Sequence, residues 1–240
     1  MEYEFIDKAL FFPEKGFLVI GDLHIGYNEI LRQSGILVPE RQVKDIIKDL
    51  ENIFKSVKDK GKEVKKIIFI GDIKHAFYFE QNEVNEFREI IEFLGEILPQ
   101  ENIILIRGNH DTIDYTFEGN MKLYHIEEDI VFIHGDEEIP EIFNKKIKTI
   151  IMGHLHPCLI LESGVKKEAY KCFLEGVHRN KKVIVLPSFL DFAEGTPVNN
   201  YGGDYVESFS IIPKSAILDF EIRAIGKNKI YNFGKIKDTF

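Results

Sequence analysis

Five short apolar runs in this chain each end on Asp, Asn or His. Phe17 to Ile20 leads into Gly21-Asp22-Leu23-His24. Ile67 to Ile70 leads into Gly71-Asp72. Ile103 to Ile106 leads, through Arg107, into Gly108-Asn109-His110-Asp111. Ile130 to Ile133 leads into His134, and Thr149 to Met152 leads into Gly153-His154-Leu155-His156. The runs have strand length. Ligands in α/β sheets bind beyond the carboxyl ends of strands. The order of residues therefore predicts five strand ends that bring carboxylates, imidazoles and an amide to one crevice.

Taken singly, each signal has a bland reading. Gly71-Asp72 reads equally as a turn, and His134 alone reads as a satisfied histidine. The His154-x-His156 pair is more suggestive, because in an extended segment both rings share a face. What separates the set from chance is its recurrence at five successive run ends.

Helical signals lie between the runs. Val43, Ile46, Ile47, Leu50, Ile53, Phe54 and Val57 have the spacing of one buried helical face, with Gly61 as the stop. Val84, Phe87, Ile90, Ile91, Leu94, Ile97 and Leu98 mark a second helix that Pro99 closes. Strands alternating with helices predict an α/β fold with mixed sheets. Residues 1–240 are expected to form one domain. Within residues 213–240, two apolar stretches on either side of Gly226-Lys227-Asn228 read as an antiparallel hairpin completing a sheet.

No apolar run reaches membrane-spanning length, and the N-terminus lacks the basic and apolar regions of a secretory signal. Cys158 and Cys172 show no metal-ligand spacing. A reducing, cytoplasmic setting is the expectation. The formal charge of −9 argues against nonspecific nucleic-acid binding, which needs clustered Lys and Arg.

The series Asp22-x-His24, Gly71-Asp72, Gly108-Asn109-His110-Asp111, His134 and Gly153-His154-x-His156 resembles the calcineurin-like metallophosphoesterase superfamily over roughly residues 17 to 190. Gly21 to Gly26, with Gly71-Asp72-Ile73-Lys74-His75, is similar to the branch of SbcD-like nucleases and small archaeal proteins. The resemblance implies a two-sheet αββα sandwich flanked by helices. It implies one divalent ion on Asp22, His24, Asp72 and His156, and a second on Asp72, Asn109, His134 and His154, with Asp72 shared. The donors suit Mn²⁺, Fe or Zn²⁺ better than Mg²⁺; Mn²⁺ is the expectation, with Fe, Zn²⁺ and Ni²⁺ as alternatives.

The implied activity is hydrolysis of phosphodiesters by a hydroxide bridging the two ions. Nucleic acid is among the candidate substrates. A phosphomonoesterase or small cyclic-nucleotide phosphodiesterase is the alternative, and a silent binding protein of the same fold is the reading from another class. His110 would contact the phosphate and assist the leaving oxygen, with Asp111 orienting its ring. His75 would lie near the substrate or support the ligands from behind. The loop from Leu190 to Asn199 reads as a substrate-side segment or a plain surface connection. The relatives' capping region and ATPase-docking tail have no evident counterpart before Phe240. The oligomeric state is left open.

Overall fold

A computed structural model describes residues 2–77, 81–111, 121–191, 195–199, 210–227 and 229–239. Its first sheet has five strands: β1 (Glu4–Ile6), β2 (Ala9–Phe12), β3 (Phe17–Ile20), β4 (Lys66–Ile70) and β5 (Ile103–Ile106), in that spatial order. β3, β4 and β5 run parallel, and β1 and β2 add an antiparallel edge.

The second sheet contains β6 (Tyr124–Glu127), β7 (Ile130–Ile133), β8 (Thr149–Met152), β9 (Pro157–Ser163), β10 (Lys166–His178), β11 (Lys181–Val185) and β12 (Thr196–Pro197), ordered β12-β9-β10-β11-β8-β7-β6. β13 (Glu221–Ile225) pairs with β10, and β14 (Ile230–Lys235) pairs with β13. The C-terminal hairpin thus extends this sheet. It is shorter than its apolar pattern predicts. Ile217 ends a one-turn helix rather than entering the strand, and the turn Ala216–Phe220 is closed by backbone bonds from Asp219 and Phe220.

Strand alternation assigns each side chain to a layer. Leu18, Ile20, Ile67, Phe69 and Leu105 face outward, joining Leu50, Ile53, Phe87, Ile90 and Leu94 of the helices α2 (Gln42–Asp59) and α3 (Gln81–Gly95) in one core; the short helix α1 (Tyr27–Gln33) precedes them in the chain. Val19, Ile68, Ile70, Ile104 and Ile106 face inward, against Phe132, Ile151, Phe173 and Ile184 of the second sheet. Ile150, Met152, Val183 and Val185 form the far face, covered by the short helix α4 (Lys214–Ile217), the 3₁₀ turn Pro140–Phe143 and the residues around Ile211. The fold is an α/β sandwich of two mixed sheets. Burial of β3, β4, β5, β7 and β8 on both faces explains their unbroken apolar runs. Among the described residues no helix is long and apolar enough to cross a membrane.

Candidate metal centre

The carboxyl ends of β3, β4, β5, β7 and β8 come together in one crevice between the sheets, where Asp22, His24, Asp72, Asn109, His134, His154 and His156 meet. Two groups of ligand atoms form. One joins Asp22, His24, Asp72 and His156; the other joins Asp72, His134 and His154; within each, the atoms lie within 4.8 Å of one another. Asn109 joins the second through its Oδ1, 3.0 Å from His134 Nε2. Asp72 belongs to both groups.

The donors lie within contact distance of one another. His24 Nε2 and His156 Nε2 are 3.2 Å apart, and His154 Nδ1 lies 3.1 Å from His134 Nε2. The Oδ2 of Asp72 is 3.7 Å from His24 Nε2 and 3.5 Å from His134 Nε2. Asp22 and Asp72 are both buried. Burial opposes the charged form of Asp22, yet His156, His134 and His24 together hold its carboxyl well below the usual carboxylate range. Burial, and then the charge of Asp22, pushes the Asp72 carboxyl up to about 9. Burial also lowers His24, and takes His134 down to about 4. The buried Asp22 and Asp72 carboxyl groups, with imidazoles packed against them, are a donor set that a divalent cation satisfies. The donor set fits such ions. Cys158 and Cys172 are buried and belong to none of the described ligand groups.

Backbone geometry shows why these turns hold. His24, Asp72, His154 and His156 have φ of 46°, 38°, 67° and 44°. Left-handed backbone costs a non-glycine residue about 1–3 kcal/mol and persists where the surroundings enforce it. Here the Leu23 and His24 N–H groups donate to Asp72 O at 3.1 and 2.8 Å. The His154 N–H donates to the Asp22 carboxylate at 3.2 Å.

Three glycines of the motifs make room for side chains of other motifs. A Cβ at Gly71 would run into the His134 ring, and one at Gly108 into the carboxylate and N–H of Asp72. One at Gly153 would lie 2.5 Å from Asp22 Oδ2. Each glycine leaves room for a ligand from another motif. Gly108→Ala is therefore expected to keep the far-ultraviolet circular dichroism spectrum yet lower divalent-metal affinity by at least about 10–100-fold, the usual cost of disturbing a ligand's support. Titration calorimetry that finds wild-type affinity would refute this.

Around the ligands, the structure corrects one expectation. Asp111 does not orient the His110 ring. Its buried carboxylate accepts backbone N–H bonds from Gly108 at 2.9 Å and from Ile73 and Lys74 at 3.2 Å, tying the β5 loop to the β4 loop. A carboxylate offered three nearby N–H donors turns to them. Burial nevertheless outweighs those bonds and raises Asp111 to about 6. The His110 ring instead places Nδ1 2.6 Å from the His75 carbonyl. Its Nε2 then faces the crevice, 3.9 Å from Asp72 Oδ2. His75 sets Nδ1 3.2 Å from Nδ1 of His24. His75 thus stands behind one candidate ligand while its carbonyl holds His110. His24, His75 and His110 make up a third group of facing nitrogens. Arg107 is exposed. The loop after Leu190 borders the crevice through the Thr196 N–H, which donates to His156 O at 2.7 Å; residues 192–194 lie outside the described residues.

No curated protein matches the chain by sequence. Among solved structures, Pseudomonas putida nuclease MPE is similar with a TM-score of 0.60 and 18% identity, covering 97% of this chain and 100% of that one. Vacuolar Protein Sorting 29 from Cryptosporidium parvum is similar at a TM-score of 0.36 and 17% identity, over 90% and 88% of the two chains. At 18% identity the likeness to the nuclease is one of fold. The family model described as calcineurin-like phosphoesterase matches residues 16–157, which contain all five ligand-bearing strand ends. With a matched span of more than half its length and a crevice whose buried charges call for divalent cations, the chain belongs to the calcineurin-like phosphoesterase family, the metal-dependent phosphoester hydrolases.

Proposed function

We propose that this protein hydrolyses phosphodiester bonds using two divalent cations, Mn²⁺ by preference, with Asp72 the residue that would serve both. The single observation that carries this reading is that Asp72 contributes to two separate ligand groups at once. Asp22, His24, Asp72 and His156 would hold one ion, and Asp72, Asn109, His134 and His154 the other. Such a pair supplies Lewis acidity and an acidified water at neutral pH. Mixed imidazole and carboxylate donors without thiolate suit Mn²⁺. A nuclease of the same fold supports nucleic acid among the substrates.

The chain's own residues supply orientation and a proton. His110 Nδ1–H donates to the His75 carbonyl, which fixes the ring and leaves Nε2 directed at the crevice. Burial lowers the proton affinity of His110, and the His75 carbonyl opposes that shift by stabilising the doubly protonated ring. From Nε2 a proton passes to the departing alkoxide. Asp111 holds the two loops that carry Asp72 and His110 in register. Asp111 and His75 are in this reading positioning residues, and His110 the catalytic one.

The experiment is metal removal followed by a substrate panel. Protein stripped by chelation is expected to be inactive and to regain hydrolysis of bis-p-nitrophenyl phosphate with Mn²⁺. Full activity in chelator, after elemental analysis shows no metal, overturns metal dependence. Recovery on p-nitrophenyl phosphate with none on any diester overturns the diesterase reading in favour of a phosphomonoesterase.

A further inference from the structure

A single peptide group stands behind the proposed proton donor, and it is held at both ends. At one end the His75 carbonyl lies 2.6 Å from Nδ1 of His110. At the other the Ala76 N–H donates to Oε1 of Glu83 at 2.9 Å. The His75 C=O and the Ala76 N–H belong to one trans peptide unit and point in opposite directions. Carboxylate, peptide and imidazole therefore make a hydrogen-bonded line that ends at His110 Nε2, which faces the crevice.

Glu83 is built into this place. It lies in the first turn of α3, where the helix dipole favours a negative charge, and it is buried. The same Oε1 accepts the His75 N–H at 3.3 Å, a donor that also reaches the Ile25 carbonyl at 2.8 Å. Gly26, with φ of 90°, leaves space for the carboxylate, since a Cβ there would run into Oε1. Glu83 belongs to none of the described ligand groups. Asp111 faces three backbone N–H groups, so Nδ1 of His110 depends on the His75–Ala76 peptide.

We infer that Glu83 is a positioning residue for the phosphodiester reaction: through the His75–Ala76 peptide it fixes the plane and tautomer of His110 and so aims Nε2 at the leaving oxygen. The inference rests on the reading of His110 as the proton donor. The bonds reinforce one another. A carboxylate that accepts the peptide N–H draws electron density toward the carbonyl, which strengthens the bond from Nδ1–H. Turning that peptide would break a charge-assisted bond, so the carbonyl stays in place while the imidazole works. With Nδ1–H committed to the carbonyl, the mobile proton is the one on Nε2.

The test uses the Mn²⁺-loaded full chain, with a dinucleotide diester and bis-p-nitrophenyl phosphate as substrates. Glu83→Ala is expected to keep both metals and to lose about 10²-fold in kcat on the dinucleotide, the cost of misplacing a reacting group by about 1 Å. KM should hold. The loss should be far smaller on the p-nitrophenyl ester, whose phenolate leaves unaided. Glu83→Gln keeps an oxygen that accepts the Ala76 N–H and should retain most of the turnover. In the His110→Ala background Glu83→Ala should cost nothing further, because it acts through that ring. A second readout needs no turnover. In the Zn²⁺-loaded, ¹⁵N-labelled chain, the His110 Nδ1–H should exchange slowly with solvent in wild type and Glu83→Gln, and rapidly in Glu83→Ala.

Equal losses on the two esters in Glu83→Ala, or a further loss in the His110→Ala background, would show a carboxylate that only closes the loop, and would overturn the inference. So would a rapidly exchanging His110 Nδ1–H in wild type, a result that stands even if Glu83→Ala does not fold. Absence of metal-dependent cleavage of either diester by wild type is a different failure, that of the phosphodiesterase reading.

Discussion

Asp72→Asn should abolish hydrolysis while making the metal-free protein harder to unfold. Losing one preorganised charge-stabilising group typically costs about 10²–10³-fold. Asp72 serves both ligand groups, so its loss is expected to cost about 10³-fold or more in kcat/KM, more than any other single ligand change. The stability effect has the opposite sign. In the metal-free protein the Asp72 carboxyl is raised to about 9, first by burial and then by Asp22. A carboxyl raised on folding contributes stability below its unfolded value of about 4, and that contribution is lost as pH rises towards 9. Asparagine keeps the shape and never ionises. The melting temperature of chelated Asp72→Asn should therefore exceed that of chelated wild type, with a gap that widens from pH 6 to pH 8. Added Mn²⁺ should raise the wild type and leave the variant nearly unchanged. Two bound metals by elemental analysis with unchanged turnover would end the assignment of Asp72 as the shared ligand.

His110→Ala is the second large effect, and it separates chemistry from metal binding. Nε2 of His110 is 3.9 Å from Asp72 Oδ2, and the ring is held from behind by the His75 carbonyl. The variant is expected to keep both metals and lose about 10²–10⁴-fold in kcat on a nucleotide diester, whose alkoxide needs a proton to leave. The loss should be much smaller with a p-nitrophenyl diester, whose phenolate leaves unaided. Equal losses on the two esters would leave His110 a phosphate contact without proton transfer. Loss of a metal would make it a ligand.

The sequence made the site legible because strand ends are where α/β sheets collect ligands, and buried parallel strands announce themselves as apolar runs. Asp22, His24, Asp72, Asn109, His134, His154 and His156 are gathered into one crevice as the run order predicts. Asp111 was misjudged for a physical reason. The resemblance implied contact with the His110 ring, but the Asp111 carboxylate turns inward to three N–H donors. The β9–β10 hairpin was not foreseen. Its residues alternate weakly, with exposed Glu162, Lys166, Lys167 and Glu168 at the arm, so periodicity gave no signal. The spacing role of Gly71, Gly108 and Gly153 is invisible along the chain, since each glycine clears room for a residue remote in sequence.

The ligands are divided between the two sheets. Asp22, His24, Asp72 and Asn109 follow strands of the first, and His134, His154 and His156 follow strands of the second. Each proposed cation is consequently a rivet through the sandwich. Neither sheet alone supplies the whole of either proposed ligand set, so affinity for the ions is expected to depend on how firmly the two halves are docked. An enzyme built this way cannot be loaded before it is assembled, and a slip of one sheet against the other would switch it off without disturbing a single strand.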